Sequence, residues 1–578
     1  MKLSNCMQKT IIYLLLITPF IVLSQQESHL SGSFESNAQW YLNDKKTGKF
    51  NEKEHLRANT YLKLDYTFFT NFSIGLQAES YFPKPLLNYS PNFNKEIDIA
   101  QYYAKYKNEK IDITLGYFYE QFGSGLVLRA WEDRALGVNN SIRGGRIYYK
   151  PSNAFNITAF WGKHRVGFDI SNSELFGVNT EIELSELLNI KKMNSFNIGL
   201  SYVGKNEAYN SKNIINNVPE LVNSFSGRLD LDFGKVYTNF EYVFKSEDVR
   251  LDNVENVVEE KFFTGNAILW TLGYTKKGLG INGTFRRLEG MNFYSERTAA
   301  GSSNLYFEQA VNYLPALTKQ QDYTLANIYI YQAQPGLSLI NKRVQAGEIG
   351  TQFDIYYNIK KGTNLGGKYG AKLTANISYW AGLKAKVINP DANDFSFSNN
   401  AGYKANFLSF KEKYYRDINL EIRKKLSPKL SGILSYINIV IDEDLALGKP
   451  LGLSDKFIQS HIGVLEATYK LNKGKSLKLE AQHLFTNDDA KNWVGGAFEY
   501  FFNSNFGIYA NDSYNYEESD NNENTKIHFF NVGGSFTKGA TRAALNYGRQ
   551  RGGLLCFGGV CRFVNPNTGL TLNITTSF

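Results

Sequence analysis

The sequence predicts an all-β protein: a transmembrane antiparallel β-barrel of about 24 strands (roughly 22 to 26) with inward-folded loops. Three observations lead there. The segment Gly569–Phe578 ends the chain on an aromatic, with Leu570, Leu572, Ile574, Thr576 and Phe578 on one strand face. Alternating segments of this kind recur along the whole chain, and the connections between them are alternately very short and long. Aromatic residues make up 15% of the chain, with 38 Tyr and 41 Phe, although its average character is polar. A strand with lipid on one side and a lumen on the other must alternate with period two, and its ends carry aromatic girdles. Phe578 is read as the barrel-insertion signal, so the expected partners are outer-membrane lipid and the barrel-assembly machinery.

At the other end, Lys2 and Lys9 precede the apolar run Ile11–Leu23, with Val22 and Ser24 at the positions a leader peptidase reads before Gln25. This predicts a cleaved signal peptide over residues 1–24, too short to span a bilayer as a helix. Residues 25–578 are then expected to form a single outer-membrane barrel domain, because no repeat, Ser or Gly tract or Pro-rich linker divides them. A barrel beginning so near Gln25 also disfavours a TonB-dependent receptor with a separate plug domain. The formal net charge of +9 is mild and spread out, so nucleic acid is not expected as a partner.

Along the chain, strand candidates at His29–Leu42 and Glu54–Phe69 flank a polar loop, and Thr70-Asn71 turns directly into Phe72–Tyr81. Tight turns follow at Lys107–Lys110, Pro151–Ala154, Gly234-Lys235, Lys276–Gly278, Ser427–Lys429, Asn472–Lys475, Asn503-Ser504 and Lys538-Gly539. Between them fall the long connections Glu120–Ile142, Glu289–Gln345, Lys384–Ser409 and Arg551–Thr568. Short periplasmic turns and long extracellular loops are the asymmetry of a bacterial barrel. Within strands, Phe225, Leu229 and Leu231 oppose Arg228, Asp230 and Asp232; Leu477, Leu479 and Ala481 oppose Lys478, Glu480 and Gln482; Ile418, Leu420 and Ile422 oppose Asp417, Asn419, Glu421 and Arg423. Charge on the lipid face costs about 2 to 4 kcal/mol at midplane for Arg or Lys, so the charged sets are expected to line a wet or polar lumen.

The connection after Tyr119 gathers Glu120, Arg129, Glu132, Asp133, Arg134, Arg143 and Arg146 around five glycines. It is expected to fold into the barrel, and two roles stay open: a lumen constriction that touches a solute, or structural ion pairing. In the connection Glu289–Gln345, Tyr323, Tyr329 and Tyr331 form either a stacking surface in the lumen or ordinary packing, including an extra strand pair outside the barrel. Asp512, Glu517, Glu518 and Asp520 match no calcium-loop spacing and are read as solvated loop. Cys556 and Cys561 bracket Gly558-Gly559 and are expected to form a disulfide in an oxidising compartment. No metal site, cofactor or enzyme activity is predicted: the six His are scattered, and Ser460 and His461 project to opposite strand faces.

The pieces FYEQFGSGLVLR and EDRALGVNNSIRGGRI, with LLCFGGVCR and GLTLNITTSF, resemble an uncharacterised outer-membrane barrel family of the Bacteroidota, from near Ser31 to Phe578. The resemblance implies the fold and a Gram-negative outer-membrane location, and it implies no activity. The expected function is therefore passage or binding of an unknown solute in a porin-like or transporter-like barrel with a loop-constricted lumen. The alternative is a structural or accessory barrel that works with an envelope protein partner in secretion or envelope assembly.

Overall fold

The structure is a computed structural model that describes residues 28–87, 89, 93, 95–208, 218–248, 263–297, 309–336, 345–387, 403–449, 454–472, 474–517 and 526–578. The expected leader, residues 1–24, lies outside them, as do Glu518 and Asp520. One sheet of 26 strands dominates the described residues: 24 run around a closed antiparallel barrel, and the short strands Asp169–Ile170 and Tyr403–Ala405 extend its rim. Closure joins the first strand, His29–Tyr41, to the last, Asn567–Ser577, in the register Ser33↔Ser577 through Tyr41↔Gly569. The backbone bonds Gly32 N to Phe578 O (2.9 Å) and Phe578 N to Gly32 O (3.0 Å) extend that seam by one rung.

Alternation sets the two surfaces. On Phe72–Ser80, Phe72, Ile74 and Leu76 face outward and are exposed, while Gln77 and Glu79 turn inward and are buried. On Leu221–Asp232, Phe225 faces out while Ser224, Ser226 and Arg228 are buried on the inside. A hydrogen-bonded cylinder with no free edge and an apolar exterior is the architecture that crosses a bilayer with strands. Among the described residues no helix is long and apolar enough to cross a membrane.

Antiparallel pairing puts the short turns at one rim and the long connections at the other. Two turns at the short rim exceed the expectation: residues 184–194, which begin with the single-turn helix Leu184–Leu187 capped by the Glu183 carboxylate, and residues 360–370.

The lumen departs from the expected wet interior in its half nearest the long loops. There the inward faces carry Leu175, Val203, Val222, Val243, Ala267 and Leu288 on one side and Ile437, Ile439, Ile441, Ile458, Ile462 and Val464 on the other. These walls are apolar because chain, not water, covers them. Toward the short turns the inward faces are charged, with Lys478 between Glu466 (3.3 Å) and Glu499 (3.5 Å), and Glu421 paired with Arg423 at 2.5 Å.

Candidate functional site

Three long connections enter the lumen and meet there. The first, residues 119–141, forms two minimal hairpins, Gln121-Phe122 with Leu128-Arg129 and Glu132-Asp133 with Val138-Asn139. Gly123, at φ +55°, lies against the barrel wall, where an added Cβ would sit 2.4 Å from Cδ of Arg228. The hairpins bury Phe122, Val127 and Leu128 on the apolar wall formed by Phe160, Leu175, Val203, Val222 and Val243.

The second, residues 309–336, runs through the opposite half. It holds one 3-10 turn, Leu325–Asn327, and no strand, so the expected extra strand pair outside the barrel is corrected: Tyr323, Tyr329 and Tyr331 are buried inside. Tyr331 stacks on Trp380 (5.7 Å between centroids, 10°) and on Tyr415 (4.9 Å, 24°), which leaves no open ring face for a solute. Burial pushes the Tyr329 phenol above its usual range, so it stays neutral and donates to Asp489 at 3.1 Å. Wall side chains satisfy the backbone and side chains of this segment: Thr318 donates to Asp417 (2.8 Å), Gln321 to Asn419 (2.8 Å), the Leu325 N–H to Gln482 (3.0 Å), and Trp380 Nε1 to the Leu317 carbonyl (2.8 Å).

The third is the hairpin of Gly553–Phe557 and Val560–Val564, bonded through Cys556 and Cys561. Its Gly558-Gly559 tip enters between the other two. Ala316 N–H donates to Gly559 O (2.7 Å), Tyr313 Oη to Gly558 O (2.8 Å), and Arg562 Nη1 to Leu136 O (2.5 Å). Gly559, at φ +82°, also lies too close to Ala316 O, 2.5 Å from an added Cβ, for any larger residue. The first and second segments are tied directly by Arg129 N–H to Val311 O (2.8 Å), Tyr313 N–H to Gly125 O (2.9 Å) and Asn140 Nδ2 to Ala310 O (2.8 Å). The gap left at their junction, about 40 Å³, is lined in part by Trp131, Asn292, Tyr294 and Cys561.

The seven charged residues expected in the first segment divide into separate groups. Glu120 accepts from Arg146, which also pairs with Asp112 at 3.4 Å. Arg134 joins Glu35 (2.7 Å) and Glu132 (3.1 Å) and caps the Tyr61 ring at 4.2 Å. Arg129 lies over the rings of Tyr313 (3.8 Å) and Trp131 (5.1 Å), and Asp133 caps its own turn through Leu136 N–H at 2.9 Å. Arg143 does not join them. It is exposed on the outer face, the face of Ile147 and Tyr149, because it is one residue out of phase with inward-facing Ile142.

Two ion pairs are buried almost completely on both sides, at positions where no site was expected. Arg165 holds Glu79 with two bonds of 2.9 and 2.6 Å, both side chains 1% exposed. Arg286 binds Glu348 (2.7 Å) and the Pro315 carbonyl (2.5 Å), while Tyr414 and the Gln334 N–H also donate to Glu348. Arg228, expected on the lumen face and found there, links Glu181 (2.6 Å) to Ser201 (2.6 Å). For Glu79, Arg286 and Glu348 the signal is charge on inward-phase positions near strand ends that face a long connection, whereas Arg165 shares the phase of outward-facing Lys163 and carries no such signal.

A catalytic arrangement is not among these groups. Ser460 is buried on the inner wall, whereas His461 faces outward and shares a hydrogen bond with Tyr436 at 2.7 Å. Among the described residues no group of three or more His, Cys, Asp or Glu is placed to hold a metal, and Asp512 pairs instead with His528 at 2.7 Å.

The model of a family of unknown function, DUF6029, matches residues 7–578. The chain belongs to that family. No curated protein sequence matches this DUF6029 member. Among solved structures, its fold is similar to a BenF-like porin from Pseudomonas fluorescens, at 9% identity and TM-score 0.34, covering 96% of this chain and 99% of that one. It is also similar to OccK2 (OpdF) from Pseudomonas aeruginosa, at 8% identity and TM-score 0.35 over 96% and 98% of the two chains. A third is the siderophore receptor PirA from Pseudomonas aeruginosa, at 8% identity and TM-score 0.39 over 96% and 81%.

Proposed function

We propose that this DUF6029 member is an outer-membrane barrel of a Gram-negative bacterium, of the Bacteroidota, that binds or passes a solute through a lumen gated by its own inward-folded loops. Residues 1–24 are its removable leader and residues 25–578 its single domain. The observation that carries the reading is segment 309–336, lodged in the barrel beside a charged wall of Lys478, Glu466, Glu499 and Glu421, which it touches through Lys319 and Glu421 at 3.6 Å. Charged inner walls stabilise hydrated solutes, whereas the apolar half above them is suited to hold a plug. Glu120, Arg129, Glu132, Asp133, Arg134 and Arg146 then act as clasps that hold the gate, and a solute meets them only once the gate moves.

Planar-bilayer recording tests this. The wild-type barrel should give infrequent openings, and replacing residues 309–336 by a short Gly-Ser linker should give a steady, larger current.

The second reading, a sealed accessory barrel for secretion or envelope assembly, is favoured by one observation: the three segments bond to one another as well as to the wall. It predicts no wild-type current at any voltage, current only after the deletion, and envelope proteins that copurify.

A further inference from the structure

Arg143 is the one charged residue of the R-G-G-R stretch that the lumen does not use. It lies on the outer face directly across from Lys163 on one neighbouring strand and from Tyr117 on the other. Two cations directly opposite each other on one face repel and destabilise the sheet unless an anion lies between them. Among the described residues the ion pairs of this region join Arg146 to Glu120 and Asp112 and Arg165 to Glu79, and none takes in Arg143 or Lys163. Glu174 begins the next strand near Lys163 but forms no ion pair with it; the Lys163 ammonium donates to the Asn172 carbonyl at 3.3 Å.

What lies below and beside the pair gives the anion its class. One step toward the short turns, Gly145 stands between Leu115 and Trp161, so the surface has a notch walled by two large apolar side chains that are 60% and 54% exposed. Ile147 continues the apolar strip. Beside the cations Tyr102 and Tyr117 meet edge to face at 5.5 Å, the aromatic character of a membrane–water boundary. A phosphate alone would use the cations and leave the notch empty. A phosphorylated lipid would use both, with its headgroup on Arg143 and Lys163 and an acyl chain along Gly145.

We propose that Arg143 and Lys163 form a binding site for the phosphorylated headgroup of an outer-leaflet lipid. The site rests on the reading of the barrel as a membrane protein. Wild-type protein and the double variant Arg143→Ala, Lys163→Ala, in the same detergent, would be titrated with diphosphoryl lipid A and the bound lipid counted by native mass spectrometry. The wild type should hold one more lipid than the double variant, whose apparent affinity should fall at least tenfold, while Arg143→Lys keeps most of the binding. Equal uptake by wild type and double variant would overturn the proposal, as would displacement of the lipid by inorganic phosphate at equal phosphate concentration. Membrane fractionation and heat-modifiable migration of the same proteins report separately on whether the barrel is membrane-inserted, so a failure of the site is distinguishable from a failure of that reading.

Discussion

Arg286 and Glu348, on adjacent strands, form a 2.7 Å ion pair inside the barrel with side chains 1% and 0% exposed. The Arg286 guanidinium also reaches the Pro315 carbonyl, so the pair joins the wall to the segment that fills the lumen. Breaking a buried pair by removing one partner leaves a charge that neither water nor protein compensates. Glu348→Ala should therefore cost about 3 to 5 kcal/mol, read as a lower temperature for loss of heat-modifiable migration. An Arg286→Met, Glu348→Leu double variant should recover most of that loss; a double variant as unstable as the single would contradict the account.

Arg134 and Arg129 should behave as clasps. Arg134→Ala removes charge-assisted bonds to Glu35 and Glu132, each worth about 1.5 to 3 kcal/mol. Arg129→Ala removes the cation from the ring of Tyr313, which belongs to the second segment. The combined variant should open more often in bilayer recordings. Unchanged current with lowered heat stability would assign both residues to packing alone.

The Cys556–Cys561 bridge closes a very small loop, for which chain entropy gives about 2 kcal/mol. Cys556→Ser with Cys561→Ser should leave the barrel intact and make residues 551–566 susceptible to protease. Its effect should extend to residues 309–336, because the hairpin tip accepts from Ala316 and Tyr313. Cleavage confined to the hairpin would show that the two segments are held independently.

Glu296 lies in the connection outside the strands, and burial raises its carboxyl above the usual carboxylate range, against the Asn172 N–H that it accepts at 2.7 Å. A raised folded-state value means that the folded protein binds the proton more tightly than the unfolded chain. The contribution is therefore fully present below the unfolded Glu value of about 4.3 and lost as pH rises through the higher folded value. Glu296→Gln should therefore raise the unfolding temperature relative to wild type more at neutral pH than at pH 4; a difference between the two proteins that does not change with pH would dismiss the residue.

Much of the barrel is legible in sequence because alternation is a property of each strand alone. The loop asymmetry, the inward phase of Arg228, Asp417 and Glu480, and a count of 24 strands all follow from period two. What period two does not report is the substance covering a face. The run Ile437-Asn438-Ile439-Val440-Ile441 is apolar on nearly every residue, since lipid or neighbouring side chains cover one face and the inserted segment covers the other. That loss of alternation at strand ends below the longest connection was the readable sign of a plug. Arg143 was misplaced for a related reason: proximity in sequence to six inward-folded charges says nothing about phase, and a strand begins at Ile142.

The seam between His29–Tyr41 and Asn567–Ser577 has a consequence for biogenesis. The two partners are separated by almost the whole polypeptide, so every other hairpin is able to zip locally while these edges still wait for each other. Throughout that interval the nascent sheet presents two raw templates for mispairing with other chains. Folding of this protein is thus bound to whatever shields those edges, and a lesion in the final ten residues should be felt as aggregation of the entire sheet and not as a local defect.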